Sequence, residues 1–390
     1  MSIRGAAHIA GVYEHPGRHL PDTSLALIHA EVAIGALADA GLTVGDVDAY
    51  FCAGDAPGFG GISFAEYLGI DNVSYTDTTE TGGSSYLIHV GHAAAAIAAG
   101  KCRVALITLA GKPRTGGRGP GGSGNVSTAP EFGFETVYGT SVLGLYALAA
   151  QRHMYEFGTT SEQLAEIKVA ASLHAQHNPR AFLPNPVTIE EVVESPLVSD
   201  PLHRLDSCVI TDGGGALVVV HPDIAKDLAR HTIPVLGHGE ALKHLDAGRI
   251  DLTHTGASAS GPRAFAEAGV TPADIDYASI YDSFTITVLE TIEDLGFCAK
   301  GQGGVFVSEG GLVAPHGRLP FNTDGGGLCN NHPANRGGMT KVVEAVRQLR
   351  GEAHAAVQVP DCELAVAHGT GGSIATRMGS ATLVLGRGEG

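Results

Sequence analysis

Residues 36–50, ALADAGLTVGDVDAY, return at 264–278 as AFAEAGVTPADIDYA. A chain that repeats itself over such a distance is constrained to fold as two copies of one unit. The copies align with Gly41 on Gly269, an offset of 228 residues (269 − 41), and Ala38, Ala40, Thr43, Asp46 and Asp48 recur as Ala266, Ala268, Thr271, Asp274 and Asp276. Each copy reads as an Ala-rich helix stopped at a glycine suited to a left-handed cap, then a polar turn, then a strand beginning at Val47 or Ile275.

The neighbouring segments extend the repeat. Ser84 to Ala99 is predicted as a helix ending at Gly100 and feeding the buried strand Val104–Leu109, and Gly337 to Arg350 ends likewise at Gly351. DGGGALVVVH (212–221) and RMGSATLVLG (377–386) each place small residues before a continuous apolar strand. Helices alternating with buried strands imply parallel or mixed sheets covered by helices. The expected boundaries are 1–222 for the first half and 232–390 for the second. Residues 111–200 interrupt the first half with a glycine-rich basic loop (GKPRTGGRGPGGSG, 111–124), helical stretches and the Pro-punctuated segment 178–200. An insertion of that length is expected to pack over one half and to carry substrate contacts.

Composition excludes several functions. With 24 Lys+Arg against 41 Asp+Glu the net charge is −17, which rules out coating nucleic acid or an anionic membrane. No segment approaches the apolar length of a membrane span or the core of a secretory signal, so a cytoplasmic location is expected. The six cysteines are scattered without a C-x-x-C pair and are read as reduced thiols. His89 with His92 and His174 with His177 are spaced i, i+3, but they lack a third ligand and are read as structural; no metal is expected in this chain. No Walker or dinucleotide fingerprint follows a strand.

The duplicated halves, taken with NTDGGGLCNNHP (322–333), resemble the thiolase superfamily, specifically its sterol-carrier-protein-type branch, over nearly the whole chain. Gly325 and Gly326 lead to Asn331-His332-Pro333, matching the family's Gly-His-Pro loop with Asn for the leading Gly. Tyr281-Asp282-Ser283-Phe284 matches its His-Asp-Cys-Phe block, and His368-Gly369-Thr370-Gly371-Gly372 its Cys-x-Gly block with His for Cys. The resemblance implies a thiolase fold: two βαβαβαββ halves layered α-β-α-β-α, with an inserted loop domain.

In that family the nucleophilic cysteine begins the helix that ends seventeen residues later at the glycine before a buried strand. Counting back from Gly100 gives Gly83 (100 − 17), within Glu80-Thr81-Gly82-Gly83-Ser84-Ser85, where no cysteine stands. Acyl transfer through an activated thiolate therefore cannot proceed in its usual form. What remains is enolate chemistry beside a thioester: helix N-termini near Gly83 and His332 would present unpaired N–H groups, with His332 as a further donor. Superfamily members with glycine at this position resemble aldolases of steroid side-chain CoA thioesters that work with a small zinc-containing partner subunit of OB-fold type.

The resemblance thus implies retro-aldol cleavage of a β-hydroxyacyl-CoA releasing acetyl- or propionyl-CoA, with coenzyme A present as the substrate's thioester and a homodimer as the usual assembly. Tyr281, His368 and His254 are the acid/base candidates, with Asp282 beside them. Ser84 or Ser85 could serve as nucleophile or as helix cap, and Cys329 could approach from the other half. Lys112, Arg114 and Arg118 could meet the CoA phosphates. Two other readings stay open: a binding or scaffold protein that holds acyl-CoA without turnover, and an unconventional acetyl-CoA acetyltransferase using Cys329 or a serine.

Overall fold

A computed structural model describes residues 2–117, 136–139, 141–244, 249, 251–333, 337–372, 374 and 378–388. The two copies of the repeat adopt one local structure down to individual hydrogen bonds. Helices Leu25–Ala40 and Ala257–Ala268 end at Gly41 (φ 71°) and Gly269 (φ 68°), left-handed residues that glycine adopts without strain. Thr43 N–H donates to Asp46 at 2.8 Å, and Thr271 N–H to Asp274 at 2.7 Å. The strands begin two residues later than expected, because Asp48 and Asp276 point sideways to accept the N–H groups that start the neighbouring strand: Arg103 and Val104 in one half, Glu363 and Leu364 in the other.

The first half contributes β1 (His8–Glu14), β2 (Ala49–Cys52), β3 (Tyr75–Asp77), β4 (Val104–Gly111) and, beyond the insertion with its small hairpin β5 (Leu197–Ser199) and β6 (Leu202–His203), β7 (Gly213–Val220). The second contributes β8 (Ile233–Lys243), β9 (Tyr277–Ile280), β10 (Leu364–Gly372) and β11 (Met378–Gly386). The strand order is β3-β2-β4-β7-β1-β8-β11-β10-β9, and the halves join where β1 meets β8 at only two residue pairs. Each half is mixed: β2–β3, β2–β4 and β9–β10 run parallel, and the pairs toward the junction run antiparallel. The second half keeps its third strand only as a single parallel bridge from Phe321 to Ala278.

Three apolar clusters lie between the layers. Helix Leu25–Ala40 packs on the outer face of the first sheet, helix Ala257–Ala268 on the outer face of the second, and helices Ser85–Ala98 and Gly338–Arg350 fill the space between them. The inserted helices Val142–Phe157 and Ser161–Ala175 leave the first half and pack on the second, where Tyr146, Leu164 and Ile167 join Phe284, Leu289 and Leu328. This places insertion side chains over the carboxyl ends of β9 and β10. Among the described residues no helix is long and apolar enough to cross a membrane.

Candidate active site

Glycines bring the two halves into backbone contact at their centre. A Cβ on Gly338 would overlap the Gly83 carbonyl, and one on Gly371 would overlap the Thr81 carbonyl. The starts of both central helices and the end of β10 therefore meet with no room for a side chain. At Gly83 a Cβ would overlap the Thr370 carbonyl and lie 2.6 Å from Cζ of Tyr281, so the tyrosine ring occupies the space a side chain at 83 would need.

Tyr281 follows β9, held by its N–H donating to the His368 carbonyl at 2.9 Å. Its hydroxyl lies 2.9 Å from Nε2 of His332, with the rings edge to face at 5.4 Å. Both are buried, at 4% and 6% exposure. Burial pushes His332 down to about 4, so its imidazole is neutral near pH 7 and leaves a ring nitrogen to share a hydrogen bond with the phenol. The ring is confined by glycines, since a Cβ on Gly327 or Gly337 would lie 3.1 or 3.0 Å from its Cδ2.

The turn that carries His332, Gly326–Asn330, is wound around two carboxylates. Asp324 accepts Gly326 N–H at 2.9 Å, while Asp282 accepts Gly327 and Leu328 N–H at 2.8 and 3.1 Å and pairs with Lys341 Nζ at 2.7 Å. Asn331 N–H goes to Gly326, and His332 N–H to the Thr211 hydroxyl at 2.9 Å. The expectation of unpaired N–H groups at this turn is therefore corrected: the buried carboxylates and Thr211 take them. Asn331, standing where the resemblance expects glycine, has φ −152°, an extended conformation open to any residue, and its amide bridges Thr211 and Glu14.

In the loop before helix Ser85–Ala98, Thr81 N–H goes to Ser85 Oγ and Gly82 N–H to Glu80. Ser84 is fully buried and donates to the Thr81 carbonyl at 3.0 Å, so its hydroxyl caps no helical N–H. His368 also departs from expectation. Gly369 faces Gly83, so alternation along β10 turns the His368 ring to the opposite face, where Nδ1 meets Thr382 at 2.9 Å beneath helix Ala257–Ala268. Burial pushes it down to about 3, and its share in the site is its carbonyl oxygen.

His254 pairs with Asp251 at 2.8 Å, 40% exposed, in the connection between β8 and helix Ala257–Ala268. Cys329 is buried inside the His332 turn among apolar side chains, its thiol pushed up by burial. Arg114 lies over the Phe182 ring at 4.5 Å, and Arg118 falls outside the described residues.

A cavity of about 30 Å³ adjoins the pair, walled by Tyr146, Cys208, Tyr281, Ser283, His332 and Thr370. Tyr146 comes from the insertion and packs against Phe284, the ring centroids 4.5 Å apart and tilted by 32°. Sequence reasoning missed Tyr146, Cys208 and Thr370, although the insertion itself signalled that substrate contacts would come from it. A larger cavity of about 580 Å³ opens on the other side of Gly82 and Gly372, bounded by Glu80, Leu242, Lys243, His244 and Met378. Among the described residues no three His, Cys, Asp or Glu side chains converge to hold a metal ion.

The model of the thiolase C-terminal domain-like family matches residues 239–387. The chain is 34% identical over 362 residues to the steroid side-chain-cleaving aldolase of Thermomonospora curvata, covering 90% of this chain and 91% of that one. It is 38% identical over 258 residues to an acetyl-CoA acetyltransferase of Methanothermobacter thermautotrophicus, covering 65% of this chain and 67% of the relative. Among solved structures, the Ltp2-ChsH2(DUF35) aldolase superposes with a TM-score of 0.88 at 31% identity, covering 98% of both chains. The fold, the duplicated halves and this similarity along the chain's length place the protein in the thiolase superfamily.

Proposed function

We propose that this chain cleaves the Cα–Cβ bond of a β-hydroxyacyl-CoA by a retro-aldol reaction and releases acetyl- or propionyl-CoA. The observation that carries the reading is the Tyr281 ring lying against Gly83 while its hydroxyl bonds neutral His332. A thiolase needs a side chain at position 83 to hold the acyl group; here a phenol fills that space and offers a proton path instead. The same observation favours the lyase reading over acyl transfer, and Cys329 and Ser84 are both turned into packed surroundings.

In the proposed reaction the substrate's β-hydroxyl gives its proton to the Tyr281 oxygen as Tyr281 gives its own to His332 Nε2. The Cα–Cβ electron pair moves onto the thioester as an enolate, and a carbonyl compound departs. The starts of helices Ser85–Ala98 and Gly338–Arg350 converge on Gly83, so their positive dipole ends favour the enolate's charge. The proton on His332 then returns through Tyr281 to the enolate carbon, giving the short acyl-CoA and restoring the neutral pair.

The similarity to a steroid side-chain-cleaving aldolase supports a steroid side-chain thioester as the substrate class. The similarity to the Ltp2-ChsH2(DUF35) aldolase supports a separate small partner subunit. A homodimer, a first half 1–222 that carries the 111–200 insertion as a loop domain, a second half 232–390, and Arg114 near the CoA phosphates complete the reading.

Tyr281→Phe removes the relay oxygen and leaves the ring against Gly83. Its kcat is expected to fall about 10²- to 10⁴-fold with little change in melting temperature. A Tyr281→Phe variant that keeps wild-type kcat would refute the relay.

A further inference from the structure

Lys341 is 1% exposed in the first turn of helix Gly338–Arg350, and an ammonium group is among the costliest to bury unless it is paired. Its partner is Asp282, equally buried, with Nζ 2.7 Å from Oδ1. That carboxylate is already engaged by the N–H groups of Gly327 and Leu328, and a Cβ on Gly326 (φ 60°) would overlap it. The backbone thus closes around the charge, and two residues past this turn the chain delivers His332 to Tyr281. Among the described residues Lys341 is the cation in ion-pair contact with Asp282; the neighbouring Lys168 spends its Nζ on the Leu328 carbonyl at 2.7 Å.

We propose that Lys341 is a positioning residue of this site: paired with Asp282, it fixes the carboxylate around which the turn is wound, and so holds the His332 ring on the Tyr281 hydroxyl. The inference rests on the lyase reading for its activity readout alone. The groups facing His332 and its turn are Tyr281 and Asp282 from the end of β9, Lys341 from its helix, Tyr146 and Lys168 from the insertion helices, Cys208 from the segment before β7, and Asp324 and Cys329 from the turn itself. Of these, Asp282 favours the imidazolium and Lys341 opposes it, alongside burial. Removing Lys341 alone leaves Asp282 unopposed, whereas removing both charges leaves burial to keep His332 neutral.

The test uses Lys341→Met and the double variant Lys341→Met/Asp282→Asn. The readouts are the pH profile of kcat/KM on a β-hydroxyacyl-CoA and the His332 ring titration, followed by NMR of histidine-labelled protein. In wild type His332 shows no titration between pH 5 and 8. In Lys341→Met its titration and the acid limb of kcat/KM move up by at least one unit, an about twofold or greater loss at pH 5. In the double variant His332 returns to the wild-type titration while kcat stays low, because the turn has lost its carboxylate. If Lys341→Met fails to fold, a folded double variant supports the ion pair, and failure of both overturns it in favour of plain packing. A folded Lys341→Met whose His332 titrates as in wild type also overturns the proposal. If the wild type releases no short acyl-CoA, the lyase reading falls, and the NMR titration still decides the role of Lys341.

Discussion

On the proposed lyase reading, position 83 is where this chain departs from an acyltransferase at the level of single atoms. Gly83→Cys would place the family's nucleophile in its usual place, but the added Cβ meets both the Thr370 carbonyl and the Tyr281 ring. Backbone cannot yield as a flexible side chain can, so overpacking of about 1–3 kcal/mol is expected. The variant should melt several degrees lower and form no acyl adduct with acetyl-CoA by intact mass, whereas an adduct at wild-type stability would show that the space is open. The wall thiol Cys208 is pushed up to about 12 by burial and does not supply the missing thiolate. Tyr281 and His332 were legible in the sequence because each sits in a motif. His368 and Ser84 were placed next to them by the same motifs, yet their side chains turn away. Strand alternation decides His368, and it becomes readable only once the register puts Gly369 against Gly83.

The repeat is the part of the fold most completely legible in the sequence, and at the scale of elements its aspartates are what the two copies share. Asp48 and Asp276 each tie two backbone N–H groups of the next strand, so both halves use the same clamp between β2 and β4 or between β9 and β10. Asp276→Ala is expected to cost about 1–3 kcal/mol by leaving those donors without their charged acceptor. Urea unfolding should show the loss, and an unchanged midpoint would mean that the strands hold without the clamp. The missing third strand of the second half was not legible, because Phe321 enters the sheet as one bridge within a run of turns that carries no strand periodicity. Nor does sequence say which half an insertion covers. That is fixed by the apolar faces of helices Val142–Phe157 and Ser161–Ala175 matching Phe284 and Leu289, far away in the chain.

At the scale of the whole molecule the layered core buries histidines in their neutral form. Burial lowers His89, His174, His238 and His332 to about 4 and His368 to about 3. In the unfolded chain each titrates near 6.5, so between 6.5 and 4 the unfolded state binds more protons and stability falls as pH drops. His92, raised to about 9 by Asp77 and Glu240, works in the other direction: its contribution is present below 6.5 and is lost as pH rises through 9. Melting temperature should therefore decline steeply from pH 6.5 to 4 and more gently as pH rises from 6.5 to 9. A flat acid limb in calorimetry would mean that these rings are solvated and charged.

On the proposed reading a thiolase fold breaks a carbon–carbon bond without a covalent intermediate. The most direct measurement mixes the purified chain, with and without a DUF35-type partner, with matched β-hydroxy and β-keto acyl-CoAs, steroid side-chain thioesters included, and follows products and intact protein mass together. Unmodified protein and a short acyl-CoA released from the hydroxy substrates alone are the expected result. A stable adduct on Ser84 or Cys329, with turnover of the keto substrates, would contradict it.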